Sequence, residues 1–208
     1  MNYLPRGIIS FFKQNITCYI ILLIVFISGV ILGSISVNMM SDTQLQDLSD
    51  FINGFFANAK NISVDPPTIF YSSLSNNLKT LFTLFICGLV IIGLPLIFIL
   101  IFFRGFIMGF TVGFFISEMG IRGIVFSLLS VLPQNIIIVP SIISVGVAGI
   151  GFSSNMLKNR RIIQSESYIQ ILASYFLFNF VFSILLVVAA LIEGYISPVF
   201  IKLLTPYM

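Results

Sequence analysis

The stretch ITCYIILLIVFISGVILGSIS, from Ile16 to Ser36, carries no charged residue. A helix needs about 20 apolar residues to cross the roughly 30 Å hydrocarbon core of a bilayer, and this run has that length. Arg6 and Lys13 precede it, and Ser34-Ile35-Ser36 near its end offers a small-x-small pattern, so it also resembles a cleaved secretory signal. Its apolar core is longer than the about 7–15 residues of a signal h-region, which favours an uncleaved anchor. Arg6 and Lys13 then put the N-terminus in the cytoplasm by the positive-inside rule.

The rest of the chain has the same character. Hydrophobic residues make up 58% of the 208 and charged residues 8%, with a mean hydropathy of +1.12. A soluble domain carries about a quarter charged residues, so a water-facing shell cannot be assembled here and lipid must cover most of the surface. The fold class that follows is all-α: a polytopic transmembrane helix bundle forming a single membrane domain over residues 1–208. The net charge of +3 is small and scattered, which argues against nucleic acid as a partner. Cys18 and Cys87 fall inside apolar runs and read as small buried residues.

Working outward from the first run, residues 37–79 form the one long polar stretch, with Asp42, Asp47, Asp50, Asp65 and the pair Pro66-Pro67. It reads as an extracytoplasmic loop. Within it Leu45, Leu48, Ile52, Phe55 and Phe56 recur at helical spacing, with Ser41 or Asp42 placed to cap the start. A surface helix or a simple solvated loop both fit. A second span is expected from about Leu81 to Phe103, bent at Pro95 and ended by Arg104. A third, from Gly105 to Ser117, is short for a bilayer and calls for Arg104 and Glu118 to snorkel. Gly123 to Phe152 holds Pro133 and Pro140, which predicts a broken or re-entrant element around Pro133 followed by a crossing helix. Lys158, Arg160 and Arg161 mark a basic cytoplasmic loop at 153–167. A last span from about Tyr168 to Ile192 completes about five crossings, with six as the competing count.

Two local features stand out as candidate sites. Gly105, Gly109 and Gly113 are spaced by four, so they share one helix face and let another helix approach closely. That face serves either packing inside the bundle or a partner, a second copy of the chain included. Pro133, Gln134 and Asn135 form a polar break, in which the two amides can satisfy backbone groups freed by the proline. Such breaks line transporter sites and also serve as structural kinks. Glu118 and Arg122 stand four apart and are placed to pair. Asn179 and Ser183 offer one polar spot in the last span, read as helix-to-helix hydrogen bonds. No acidic residue is expected at mid-span, which argues against ion-coupled transport.

Catalytic patterns are missing from the sequence. Histidine is absent, and there is no Ser/His/Asp set, no metal-ligand cluster and no Gly-Lys-Ser/Thr phosphate loop. The expectation is a non-enzyme without cofactor or metal, with the bilayer as its first partner.

The joined segments Gly93-Leu94-Pro95, Arg104-Gly105-Phe106-Ile107-Met108-Gly109-Phe110-Thr111-Val112-Gly113-Phe114 and Ser127-Leu128-Leu129-Ser130-Val131-Leu132-Pro133-Gln134-Asn135, leading to Ile138-Val139-Pro140, resemble the stage II sporulation protein M family. The likeness covers essentially the whole chain, to the Ser197-Pro198 tail. It implies an integral membrane protein of endospore-forming bacteria, at the sporulation septum and the engulfing membrane. It also implies a scaffold that localises two peptidoglycan-degrading partners, stage II sporulation proteins P and D, so that cleavage belongs to the partners. A transport or channel subunit with a path lined by Pro133 to Asn135 is the alternative. No residue is assigned as a partner contact.

Overall fold

Without water, a backbone satisfies its N–H and C=O groups only within helices or closed barrels. This chain takes the helical course. A computed structural model describes residues 11–41, 43–50, 54, 66–158 and 166–199, and among them no strand forms. The long helices are α1 (Ile16–Asn38), α2 (Pro66–Leu89), α3 (Gly93–Met119), α5 (Leu132–Lys158) and α6 (Glu166–Leu191). A ten-residue helix, α4 (Ile121–Ser130), links α3 to α5, and a π-helical turn, Ile192–Ile196, extends α6. The helices α1, α3, α5 and the α6 region are long and apolar enough to cross a membrane. Although α2 is more polar, it runs between the same two ends of the bundle.

Directions follow from the contacts. Gly29 packs on the Phe102 carbonyl, Gly33 on that of Phe106 and Gly113 on Ser34, so α1 and α3 run parallel. A short turn at residues 90–92 reverses the chain between α2 and α3, and Gly93 sits against Cys87. Phe85 stacks on Tyr175 at 5.1 Å, while Gly194 packs on Phe70, so α2 and α6 are antiparallel. Gly146 meets Ile97 and Ile101 of α3. The Ser197 hydroxyl donates to Gln134 Oε1 at 3.1 Å, which sets the start of α5 beside the end of α6. One end of the bundle therefore holds the start of α1, the 90–92 turn and Lys158, and the other holds Met39, Glu118 and Ser197.

The axis is α5. In its apolar window 67% of residues are buried, against 28% in the other three apolar helices, so those face lipid on most of their circumference. Ser141 to Gly149 are buried without interruption. A helix covered all round needs no polar face, and its serines, glycines and Ala148 let four neighbours approach.

Several boundaries differ from the sequence expectation. Arg104 does not end a span. It lies in the middle of α3, a continuous helix of 27 residues, roughly 40 Å long, so no short 105–117 span exists. The chain reverses at 90–92 instead, because α2 already begins at Pro66, inside the stretch read as a loop to residue 79. A proline suits the first helical turn, where its missing N–H has no partner to lose. The break comes earlier than Pro133. Gly120, at φ +57°, turns α3 into α4, and the chain bends again at Val131, leaving Pro133 in the first turn of α5 and Pro140 inside it. Residues 153–158, placed in the cytoplasmic loop, finish α5. Asp42, Ile52, Phe55, Phe56, Asp65, Arg160 and Arg161 lie outside the described residues.

Candidate functional site

An acidic group does occur within one of the long apolar helices. Glu193 sits in the π-turn, within the apolar helix Ile169–Val199. A π-turn inserts an extra residue and re-aims the side chains around it, and Gly194 lets this turn press against Phe70, where a methyl group would come 2.8 Å from the Phe70 Cβ. Glu193 Oε2 accepts a hydrogen bond from the Ser73 hydroxyl at 2.5 Å. Ser73 Oγ accepts one from Asn77 Nδ2 at 3.2 Å. Asn77 Oδ1 in turn accepts one from Arg104 Nη2 at 2.6 Å. Three helices thus contribute to one chain that runs from cation to anion, with every donor pointing toward the carboxylate. Aligned hydrogen bonds polarise one another. Asn77 and Ser73 are both buried.

The relay explains why α2 is polar where its neighbours are not. Ser73, Asn77, Leu81 and Leu84 are buried on one face, so the helix turns two polar groups and then two leucines inward. An arginine at membrane depth is costly unless paired, and α2 supplies the intermediaries. At its other end α2 leaves its last carbonyls without helical partners. Ser153 Oγ donates to one of them, that of Gly88, at 2.6 Å, and the Tyr175 hydroxyl adds a bond to the Phe85 carbonyl, just inside the last turn, at 3.0 Å.

The glycine stripe of α3 is covered by α1. A methyl group on Gly105 would overlap the Phe26 carbonyl, and one on Gly109 the Val30 carbonyl, while on Gly113 it would come 2.9 Å from the Ser34 Cα. Gly29 and Gly33 make the reciprocal approach from α1. The stripe is an internal seam, closed to any outside helix.

At the polar break, Gln134 Nε2 donates to the Ser130 carbonyl and Asn135 Nδ2 to the Val131 carbonyl, both at 2.7 Å. With Ser197 on its carbonyl oxygen, the buried Gln134 has both ends of its amide engaged. Asn179 and Ser183 do not bridge helices. They donate to the Tyr175 and Phe180 carbonyls of their own helix.

Residues 43–50 form a helix at the Glu118 end. Ser41 Oγ accepts from the Gln44 N–H, and Gln44 Oε1 accepts from the Ser41 N–H, a reciprocal cap. The Ser49 hydroxyl donates to Glu118 Oε2 at 3.0 Å and fastens this helix to the end of α3.

The arrangement is an apolar helix bundle with Arg104 and Glu193 joined internally and a capped helix held at one end. A family model described as stage II sporulation protein M matches residues 22–198. The chain belongs to the stage II sporulation protein M family. It is a sporulation membrane protein, and its family is not a known enzyme family. No curated protein and no solved structure matches it. Within this family member, the matched span takes in the whole Arg104–Glu193 relay and the seam between α1 and α3. Sequence reasoning missed the relay because its four residues come from three separated segments. The one signal available was a run of Ser and Asn residues at helical spacing leading directly into apolar sequence, without a turn between.

Proposed function

We propose that this chain is a non-catalytic membrane scaffold that recruits or anchors peptidoglycan-degrading partners, stage II sporulation proteins P and D, at the septal membrane during engulfment. The match to the stage II sporulation protein M family over residues 22–198 carries this reading. Geometry supports it through the Ser49–Glu118 bond, which holds the capped helix as a fixed feature at one end of the bundle. Lys13 and Lys158 stand at the other end, and Arg160 and Arg161 follow in sequence, which favours a cytoplasmic N-terminus and turns the capped helix toward the cell wall. The transport reading has less support, since the amides of Gln134 and Asn135 are already bonded to carbonyls at the α4–α5 joint.

The test is retention of the partners. The tagged full-length protein, extracted in mild detergent from sporulating cells, is expected to hold both peptidoglycan-degrading proteins through purification. Recovery of the bundle with neither partner, from cells that contain both, contradicts the proposal.

A further inference from the structure

One half of α2 carries more polar residues than the internal relay uses. Ser73 and Asn77 point inward. Ser72, Ser75, Asn76 and Lys79 are exposed, and their spacing of i, i+3, i+4 and i+7 gathers them into one stripe turned away from the relay. Among the described residues, neither the Lys79 ammonium nor the Asn76 side-chain amide meets a partner.

The stripe lies level with the middle of the apolar helices. Asn77 bonds Arg104, whose neighbour Gly105 packs on Phe26 in the middle of α1. On the adjacent antiparallel α6, the stretch between Tyr175 and Gly194 exposes Ile184, Leu185, Val188 and Leu191. Those side chains suit hydrocarbon, whereas an ammonium and a carboxamide do not. Polar and charged groups inside a membrane face water or a partner. From mid-depth the nearer interface is half of a roughly 30 Å core away, beyond the reach of a four-carbon stem.

We infer that this stripe is a lateral docking face for a membrane-spanning helix of another protein, one that carries a carboxylate at mid-depth. The carboxylate complements the Lys79 ammonium, and the Asn76 amide offers both a donor and an acceptor to the same helix. A second copy fits worse. Two-fold pairing through this stripe, about an axis along the bilayer normal, sets Lys79 against Lys79 at one depth, like charge facing like. The inference goes beyond the septal reading, because it fixes the chemistry of a helix and not the identity of a protein.

The experiment places the full-length protein, labelled with a donor fluorophore, in phosphatidylcholine vesicles. Leucine-alanine spanning peptides of about 24 residues carry an acceptor fluorophore and one central Glu, Gln or Leu. The Glu peptide is expected to associate about fivefold or more tightly than the Leu peptide. Lys79→Gln brings it down to the level of the Gln peptide, and Lys79→Arg retains the preference. Equal association of the Glu and Leu peptides with the unaltered protein overturns the inference without requiring any variant to fold. So does a Glu preference undiminished by Lys79→Gln, or a photo-cross-link at position 76 that joins two copies of this chain. Failure here leaves septal recruitment untouched, so the two readings fall separately.

Discussion

Arg104 of α3 and Glu193 of the π-turn after α6 are joined through two neutral side chains, Asn77 and Ser73, both on α2. The bonds run in one direction, from guanidinium to carboxylate. Their effect is to clamp α2, the most polar of the long helices, between two apolar ones. The opposite charges of the two ends also leave the relay neutral as a whole, which suits a position in lipid.

Breaking one end of this chain is expected to be worse than removing both. Arg104→Leu leaves Asn77 Oδ1 without its donor and the Glu193 carboxylate without a countercharge, and Glu193→Leu leaves the Ser73 hydroxyl without its acceptor and the guanidinium without a countercharge. Each loss is about 1–3 kcal/mol, as for a half-buried polar group deprived of a charged partner. The double variant should cost less than the sum, with a coupling of about 1–3 kcal/mol. Unfolding of the four proteins in detergent measures this, and strict additivity would mean that the ends do not communicate.

Two glycine substitutions should separate sharply. Gly109→Ala drives a methyl group into the Val30 carbonyl and forces α1 away from α3, whereas at Gly151 nothing lies within 4 Å of the added carbon. The first should destabilise by about 2 kcal/mol or more, in the range of overpacked interiors. The second should be neutral or stabilising by up to about 1 kcal/mol, as alanine favours the helix. Thermal unfolding of both variants in the same detergent decides it, and similar melting shifts would remove the seam.

Gly120 carries the turn between α3 and α4 at φ +57° and ψ −130°, a region that residues with a Cβ avoid. Gly120→Ala is therefore expected to cost about 1–3 kcal/mol, although nothing lies within 4 Å of the added atom. The effect should appear as faster hydrogen exchange in α4, where Gly123 and Phe126 pack on Phe115. Unchanged exchange there would show that the turn is not strained by a side chain.

The topology is open to labelling in intact cells. In a background with Cys18 and Cys87 replaced, a membrane-impermeant maleimide should modify Asp47→Cys and spare Leu157→Cys until the membrane is opened. Both positions are exposed in the structure and lie at opposite ends of the bundle. The reverse pattern would invert the orientation.

The class of fold was legible because lipid makes composition decisive, as Ile16 to Ser36 shows. The seam was partly legible too. Spacing by four puts Gly105, Gly109 and Gly113 on one face in any helix, although only the packing reveals that α1 fills it. Arg104 was misleading for a physical reason. An arginine usually marks where a helix leaves the membrane, and its mid-helix position is tolerable only through Asn77, Ser73 and Glu193, partners that no local window contains. The same logic hid α2. Ser72 to Lys79 reads as solvated sequence until the inward-facing half of it is seen to bond an arginine. The joint near Pro133 was placed within a few residues, since proline is accepted in a first turn as readily as it breaks a later one.

The most direct test of the proposed role removes the gene from its spore-forming host and follows fluorescent fusions of the two peptidoglycan-degrading proteins during septation. The account predicts that both fusions leave the septum and that engulfment stalls. Normal engulfment, with both still concentrated at the septum, would contradict it.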